Sequence, residues 1–441
     1  MSCQCEICSN NKPFNMPEQI VKAVINNELV LFCGAGISTE NKTVLPYSFY
    51  TFIKNELKIE ENLSFSELMQ RYEKLPNGRR LLLRKIKDRF NYIDSFPELK
   101  RRATSFHREL SEIHQIRTII TTNWDTYFEE CCGAIPLTKA IDLSLVDENS
   151  RSVLKIHGSI DNLSSIVATT NDYEKCYKSL QNGAIGARLK DILANKTVVF
   201  IGFSFGDEDF SKIIEYLRKE MGDVYPHIYF VTIDDKLKEK LGYDNSTAIV
   251  TDGTFFLHQL KTILCERGEI VNCQIKDMIK MFLSKLQDMH SDISMIDLNE
   301  FPSAIYSLAY QDGMIHAFER YLQMKKTGEY NNPYYITLQA RQYDKIIKEH
   351  QSNGNYWDKS YFDGYLNGLI FINECDKKKL DKIVFPPLLY LPNPKINIAS
   401  FDDYLSMLTK LANSKSKYNS YALKKVKEKY KQGLVVHHPP Y

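Results

Sequence analysis

The sequence predicts an α/β protein, a mostly parallel sheet with helices on both faces, followed by a mainly helical C-terminal domain. Three observations predict it. Five short and largely apolar runs have strand length: Leu29–Phe32, Thr118–Thr121, Val153–Ile156, Thr197–Ile201 and Pro226–Ile233. Runs of this kind suit strands buried on both faces. Segments of helical periodicity return between them, as in a βα alternation. From about Asp277 the strand-like runs stop and tyrosine-rich helical segments take over.

In chain order, Met16-Pro17-Glu18 starts a helix that runs to about Asn27, with Pro near its first position and an acid in its first turn. The first strand enters Gly34-Ala35-Gly36-Ile37-Ser38, a turn whose small residues let backbone approach a phosphate. Pro46 opens a helix carrying Phe49, Phe52, Ile53 and Leu57 at helical spacing, and helices follow over Ser64–Lys74, Gly78–Phe90 and Thr104–His114. Helical periodicity also fills Gly183–Asn195 and Asp207–Met221, and a short sixth strand is expected over Thr247–Val250. Met278–Met289 is a helix that could close the sheet domain, and Ser291–Asn299 reads as a linker. The domain organisation expected is a Cys-containing tail over 1–16, the sheet domain over 17–290 and the helical domain over 291–441.

The totals set limits. The 441 residues are 43% hydrophobic and 25% charged, ordinary for a globular chain with a full core. A formal charge of +2 offers no global attraction to nucleic acid. Eight lysines between Lys410 and Lys431 against the one acid Glu428 make a local basic face, most simply a solvated helix surface and weakly a nucleic-acid contact. No apolar run approaches the ~20 residues of a membrane span, and the amino terminus lacks the apolar core of a signal peptide, so a cytoplasmic location and no membrane contact are expected. Ten irregularly spaced cysteines suit reduced thiols. Cys3, Cys5 and Cys8 could ligate a metal, but zinc wants four ligands and no fourth lies near, so no metal is expected.

Ligands of a parallel sheet sit beyond the carboxyl ends of its strands. There the chain places Gly34–Ser38, then Thr122-Asn123-Trp124-Asp125, then His157-Gly158-Ser159, then Gly202-Phe203-Ser204, then Asp234. Small residues, an amide, carboxylates and an imidazole thus converge on one crevice. Taken singly, Asn123 reads as a helix cap for Trp124–Glu130 and His157 as a turn residue. A hydride-transferring dinucleotide fold would need a third glycine where Thr39 stands, and an acid closing the next strand where the region near Glu56 is helical. That reading fails.

With these motifs in this order, Pro17–Leu286 resembles the sirtuin-like (SIR2-like) NAD-consuming domain, a Rossmann-like fold. The matching elements are Gly34–Ser38, Thr121–Asp125, Lys155–Ser159, Thr169–Tyr173 and Gly202–Ser204. The resemblance implies that Gly34, Ala35, Gly36 and Ser38 cradle the pyrophosphate. It implies that Asn123, beside Thr122, holds the nicotinamide ribose and the attacking water, and that Asp125 contacts the nicotinamide amide. It makes His157 the general acid/base, and Gly202, Ser204 and more weakly Asp234 the adenosine-side contacts. Breaking the nicotinamide–ribose bond passes through an oxocarbenium-like state, for which a positioned water and a base of near-neutral pKa are useful.

Departures choose among members. Asn41–Tyr50 lacks the arginine that the family's protein deacylases carry there, and only Cys176 lies between residues 158 and 264, where those enzymes carry a four-cysteine zinc module. The zinc-free pattern resembles bacterial antiphage effectors that hydrolyse NAD+ to nicotinamide and ADP-ribose. It implies NAD+ as substrate, a trigger, and a helical domain for homo-oligomerisation, sensing or an activating partner. The alternatives are an NAD-dependent protein deacylase or ADP-ribosyltransferase, and a non-catalytic NAD or ADP-ribose sensor.

Overall fold

The structure, a computed structural model, describes residues 12–147, 149–203, 227–234, 245–271, 275–323, 328–374, 384–392 and 400–429, with Lys212, Glu215 and Ile398 in addition. It divides into two compact units, residues 1–264 with 326–328, and residues 265–325 with 329–441.

Among the described residues of the first unit, seven strands form one sheet: β1 Leu29–Cys33, β2 Thr118–Thr121, β3 Ile135–Leu137, β4 Ser152–Lys155, β5 Thr197–Ile201, β6 Ile228–Thr232 and β7 Ser246–Val250. Their order is β3-β4-β2-β1-β5-β6-β7 and every pairing is parallel. The helices are α1 Glu18–Ile25, α2 Phe49–Leu57, α3 Phe65–Glu73, α4 Gly78–Ser95, α5 Pro97–Ala103, α6 Ser105–Ser111, α7 Tyr127–Cys132, α8 Thr170–Asn182, α9 Ala184–Asn195 and α10 Gly253–Glu266. The chain begins in the middle of the sheet at β1, builds outward through β2 and β4, then crosses back to lay β5 on the other side of β1. The strand order therefore reverses between β1 and β5, the place where such sheets hold nucleotides.

The apolar strands are apolar because both faces are covered. Val30 and Phe32 share a buried cluster with Ile120, Leu154, Val198, Phe200 and Phe230, closed by Leu180 of α8 and by Leu189, Ile192 and Leu193 of α9. Phe32 and Phe200 are register partners and stack at 4.9 Å between ring centroids. Each such fully buried side chain contributes about 1.5–3 kcal/mol. The remaining helices over α2, α3 and α4 make a second cluster around Ile53, Leu68, Met69, Tyr72, Leu82 and Ile86.

The expected strands stand where the sequence placed them, to within two residues at each end. The helix expected over Thr104–His114 is α6, shorter at its carboxyl end, and the helix α5 that precedes it has no counterpart in the sequence reading. The strand β3 has no counterpart in the sequence reading, because Pro136 lies at its centre and proline cannot donate to a ladder. The structure accommodates it at the sheet edge, where β3 pairs with β4 alone. The expected Asp207–Met221 helix lies almost wholly outside the described residues, as do Cys3, Cys5, Cys8 and Lys431.

The second unit is helical: α11 Ile275–Ser294, α12 Ile305–Gln323, α13 Pro333–Ser352, α14 Tyr356–Glu374, α15 Phe401–Ala412 and α16 Lys417–Lys429. Ile275, Ile279, Phe282 and Leu286 of α11 pack into its core with Tyr310, Met314, Phe318 and Tyr365. The helices α12 and α14 approach through reciprocal glycines: a Cβ at Gly313 would lie 1.9 Å from the Tyr361 carbonyl oxygen, and one at Gly364 would lie 1.8 Å from that of Tyr310. Two of the buried tyrosines have their hydroxyls occupied: Tyr306 donates to the Tyr418 carbonyl at 2.7 Å and Asn367 donates to the Tyr310 hydroxyl at 2.9 Å. Two lysines of the basic stretch lie over aromatic faces, Lys417 over Tyr356 and Tyr418, and Lys425 over Trp357 and Tyr421. No helix among the described residues is long and apolar enough to cross a membrane.

The glycine crossing yields a stability expectation. Gly364→Ala must push the two helices apart, at a cost of about 1–3 kcal/mol for overpacking. A fall in Tm of several degrees in calorimetry is the expected reading, and an unchanged melt would contradict the close approach.

Candidate functional site

The site begins with two turns that lock together at the reversal of strand order. After β1 the chain makes a single 3₁₀ turn over Ala35–Ile37, and after β5 it turns at Gly202, whose φ is +80°. The Gly34 N–H donates to the Ile201 carbonyl and the Gly36 N–H to the Gly202 carbonyl, both at 2.9 Å. A Cβ at Gly34 or Gly36 would stand 2.8 or 2.7 Å from the Gly202 oxygen, and one at Gly202 would meet Ile37 at 2.6 Å. All three glycines are needed for backbone to lie on backbone. The sequence reading assigned Gly34 and Gly36 to a phosphate. In the structure their N–H groups, with those of Ile37 and Ser38, bond within the protein, while Ala35 is half-buried and Gly36 exposed.

The β2 loop lies against this turn. Thr122 donates its N–H to the Cys33 carbonyl at 3.2 Å, and the Thr121 hydroxyl donates to the same carbonyl at 2.9 Å. Asn123 in turn donates its N–H to the Thr121 hydroxyl at 3.0 Å. Asn123 does not cap a helix. The following helix, α7, starts at Tyr127, and Asp125 accepts its N–H at 3.2 Å.

Three buried side chains then form a directed chain of hydrogen bonds. The Ser38 hydroxyl donates to Asp125 Oδ2 at 2.9 Å, and Asn123 Nδ2 donates to the Ser38 Oγ at 3.3 Å. A carboxylate accepts only, so Ser38 must give it the hydroxyl proton and can then only receive from Asn123. That leaves Asn123 Oδ1 as the outward end of the chain, buried and with no hydrogen-bond partner among the described residues. An unmet buried acceptor is expensive unless something else fills it. The group that meets it must be a hydrogen-bond donor, such as a hydroxyl or a water.

Lys155 was named in the sequence only as part of a motif, yet it holds this loop from beneath. Its side chain is fully buried and its ammonium donates to the Asp125 backbone carbonyl and to Glu129 Oε1, the latter at 2.9 Å. Burial raises the Asp125 and Glu129 carboxyls above their ordinary values, and the Lys155 charge opposes it at both. A lysine within the apolar run Val153–Ile156 was the available signal, since a buried charge requires a partner.

His157 follows β4 and is 2% exposed, with its ring set edge-on to Tyr173 of α8 at 5.0 Å. Val167 donates its N–H to the His157 carbonyl at 3.1 Å. Gly158, with φ +82°, lets the chain pass under Ser165, whose oxygen a Cβ would meet at 2.2 Å. The sequence reading expected an imidazole near neutral pKa. Burial, and secondarily the Lys212 charge, instead push it down to about 3. It is a neutral imidazole, a proton acceptor, throughout the ordinary pH range.

The remaining sequence candidates lie farther out. Asp234 follows β6, two strands from β1, with its N–H donated to the Thr232 hydroxyl at 3.1 Å. Ser204 lies outside the described residues. Ser38, Asn123, Asp125 and the Gly34–Gly202 interlock are therefore brought into direct contact, and His157 is placed at the end of β4, next to β2 in the sheet.

A family model described as a SIR2-like domain matches residues 117–250. The chain is similar to proteins named NAD(+) hydrolase ThsA, at 28% identity over 216 residues in Cytobacillus dafuensis (46% of this chain and 41% of the relative). The Enterococcus faecium protein of that name is 29% identical over 205 residues (45% and 41%). Defense-associated sirtuin 2 of Bacillus subtilis is 22% identical over 288 residues, covering 61% of this chain and 27% of the relative. The matched stretch thus spans about two fifths or less of these curated relatives.

Burial of an imidazole predicts an acid limb to the stability of the first unit. His107 is fully buried, its ring 4.5 Å from that of Phe128 and 5.7 Å from that of Tyr127, and burial pushes it down to about 3. The unfolded chain protonates near ~6.5, so between these values it binds the extra proton and stability falls as pH falls. Below about pH 6, His107→Phe should gain on the wild type by ~1.4 kcal/mol per pH unit. Denaturant unfolding at pH 7.5, 6 and 5 measures this, and a pH-independent difference would contradict it.

Proposed function

We propose, from the match of residues 117–250 to a SIR2-like domain, that this chain is an NAD+ hydrolase, cleaving the nicotinamide–ribose bond to give nicotinamide and ADP-ribose. The observation that carries the reading is the orientation of Asn123. Ser38 and Asp125 turn its amide so that Oδ1, a neutral acceptor, is the unmet group. Such a group orients a water or a ribose hydroxyl where positive charge develops on the sugar, without forming a stable adduct there.

In this reading the half-buried Ala35 and exposed Gly36 backbone receives the pyrophosphate, and Ser38 holds Asn123 in place. Asp125 fixes the direction of the hydrogen-bond chain and bounds the nicotinamide side. His157, neutral in its buried pocket, accepts a proton from a ribose hydroxyl or the attacking water. Gly202, Ser204 and Asp234 serve the adenosine half. The NAD(+) hydrolase and Defense-associated sirtuin names of the relatives support a defence role; the reading adds that the role is antiphage and triggered, with the helical unit for oligomerisation, sensing or partner binding.

Mass spectrometry of the products from the full chain with NAD+, with and without an acylated peptide, tests this. Nicotinamide and ADP-ribose should form without peptide, and Asn123→Ala or His157→Ala should lower the rate about 10²–10⁴-fold. Acyl-ADP-ribose would assign a deacylase instead, and NAD+ binding without turnover, unchanged in both variants, a sensor. Because His157 stays neutral down to about 3, kcat/KM should show no ionisation near pH 6.5. A rise with a midpoint there would contradict the assigned base.

A further inference from the structure

Immediately after Ser38 the chain makes a loop over residues 39–47 before entering α2, and a single guanidinium from α4 ties it together. Arg89 Nη2 donates to the Thr39 carbonyl at 3.3 Å and to the Tyr47 carbonyl at 3.0 Å, the two ends of the loop. The same group pairs with Glu40 Oε1 at 2.9 Å and lies over the Tyr47 ring at 5.7 Å. Glu40 extends the tie, since its other oxygen accepts the N–H of Phe49, the first residue of α2, at 3.0 Å. The Arg89 side chain is only 9% exposed, so the guanidinium is mostly withdrawn from water even though the Tyr47 end of the tie is exposed, and a charged donor strengthens each bond.

The middle of the loop is held separately. Arg102 donates to the Thr43 carbonyl at 3.0 Å, and Val44 and Leu45 are buried with Ile93, Ala103 and Tyr127. Arg89 is what joins the two ends to each other; the nearer end, also held by the Glu40 and Asn41 N–H groups on the Ala35 and Ser38 carbonyls, adjoins the residue that orients Asn123. All three acceptors are met by the one nitrogen Nη2, so what a lysine would lack is the reach of the guanidinium and its planar stacking over the Tyr47 ring.

We propose that Arg89 is a positioning residue of the nucleotide site, clamping the 39–47 loop so that Ser38 stays in register with Asn123 and Asp125. The proposal rests on the NAD+-cleaving reading for its effect on turnover, while the clamp itself is independent of any substrate. Slack in the loop passes directly to Ser38, and a misplacement of about 1 Å in such a network costs ~10²-fold in rate.

The test uses the full chain with Arg89→Ala, Arg89→Lys and Glu40→Gln, the last two conservative enough to remain folded. Amide hydrogen exchange without ligand should rise about tenfold or more at Glu40 and Phe49 in Arg89→Ala while β1 and β2 stay protected. NAD+ turnover should lose kcat by ~10²-fold with KM changed far less, and Arg89→Lys should fall between. Unchanged exchange in Arg89→Ala overturns the clamp. Faster loop exchange with unchanged kcat overturns the positioning role. A wild type that leaves NAD+ intact sinks the hydrolase reading alone, and the exchange result then decides the clamp without it.

Discussion

Backbone lying on backbone, where the turn after β1 meets the turn after β5, is the constraint on which the site depends. Gly34 and Gly36 bond to the Ile201 and Gly202 carbonyls at 2.9 Å, and a side chain on Gly34, Gly36 or Gly202 would break that approach. The contact joins the two halves of the sheet at the point where strand order reverses. Everything that follows inherits its placement. Ser38 is where the locked turn ends, Asn123 and Asp125 reach Ser38 from the next strand, and the 39–47 loop continues from it.

Around this scaffold the electrostatics are arranged by burial more than by charge pairing. Asp125 and Glu129 are raised by burial, and one buried ammonium, Lys155, opposes it at both while bonding to the Asp125 carbonyl and the Glu129 carboxylate. His157 is driven neutral by the same desolvation. The result is a polar site with fixed donor and acceptor directions, suited to orienting neutral groups. Removing one partner of such a buried pair would leave an uncompensated charge, so these residues stand or fall together.

The helical unit is organised by a related device. Gly313 and Gly364 bring α12 and α14 into backbone contact, and tyrosines fill the surrounding core, the Tyr306 hydroxyl bonded to a carbonyl and that of Tyr310 to an amide. Close approach by glycine therefore recurs in both units, once between turns and once between helices.

The sequence by itself determined the parallel α/β class, the strand positions and the residues that follow each strand, because apolar runs and small residues reflect local demands of burial and turning. The Gly34–Ser38 turn, Asn123, Asp125 and His157 were legible in that way. Only the tertiary structure decided what they do to one another. The glycines prove to serve a turn 166 residues away, between Gly36 and Gly202, and Asp125 rather than Asn123 meets the N–H of the next helix. The strand holding Pro136 became visible only once its place at the edge was known. Arg89 gave no local sign at all, since a guanidinium on a helix acquires its meaning from the loop that folds against it. Hydrogen-bond direction and imidazole desolvation are properties of enclosure, and enclosure is made by residues distant in the chain.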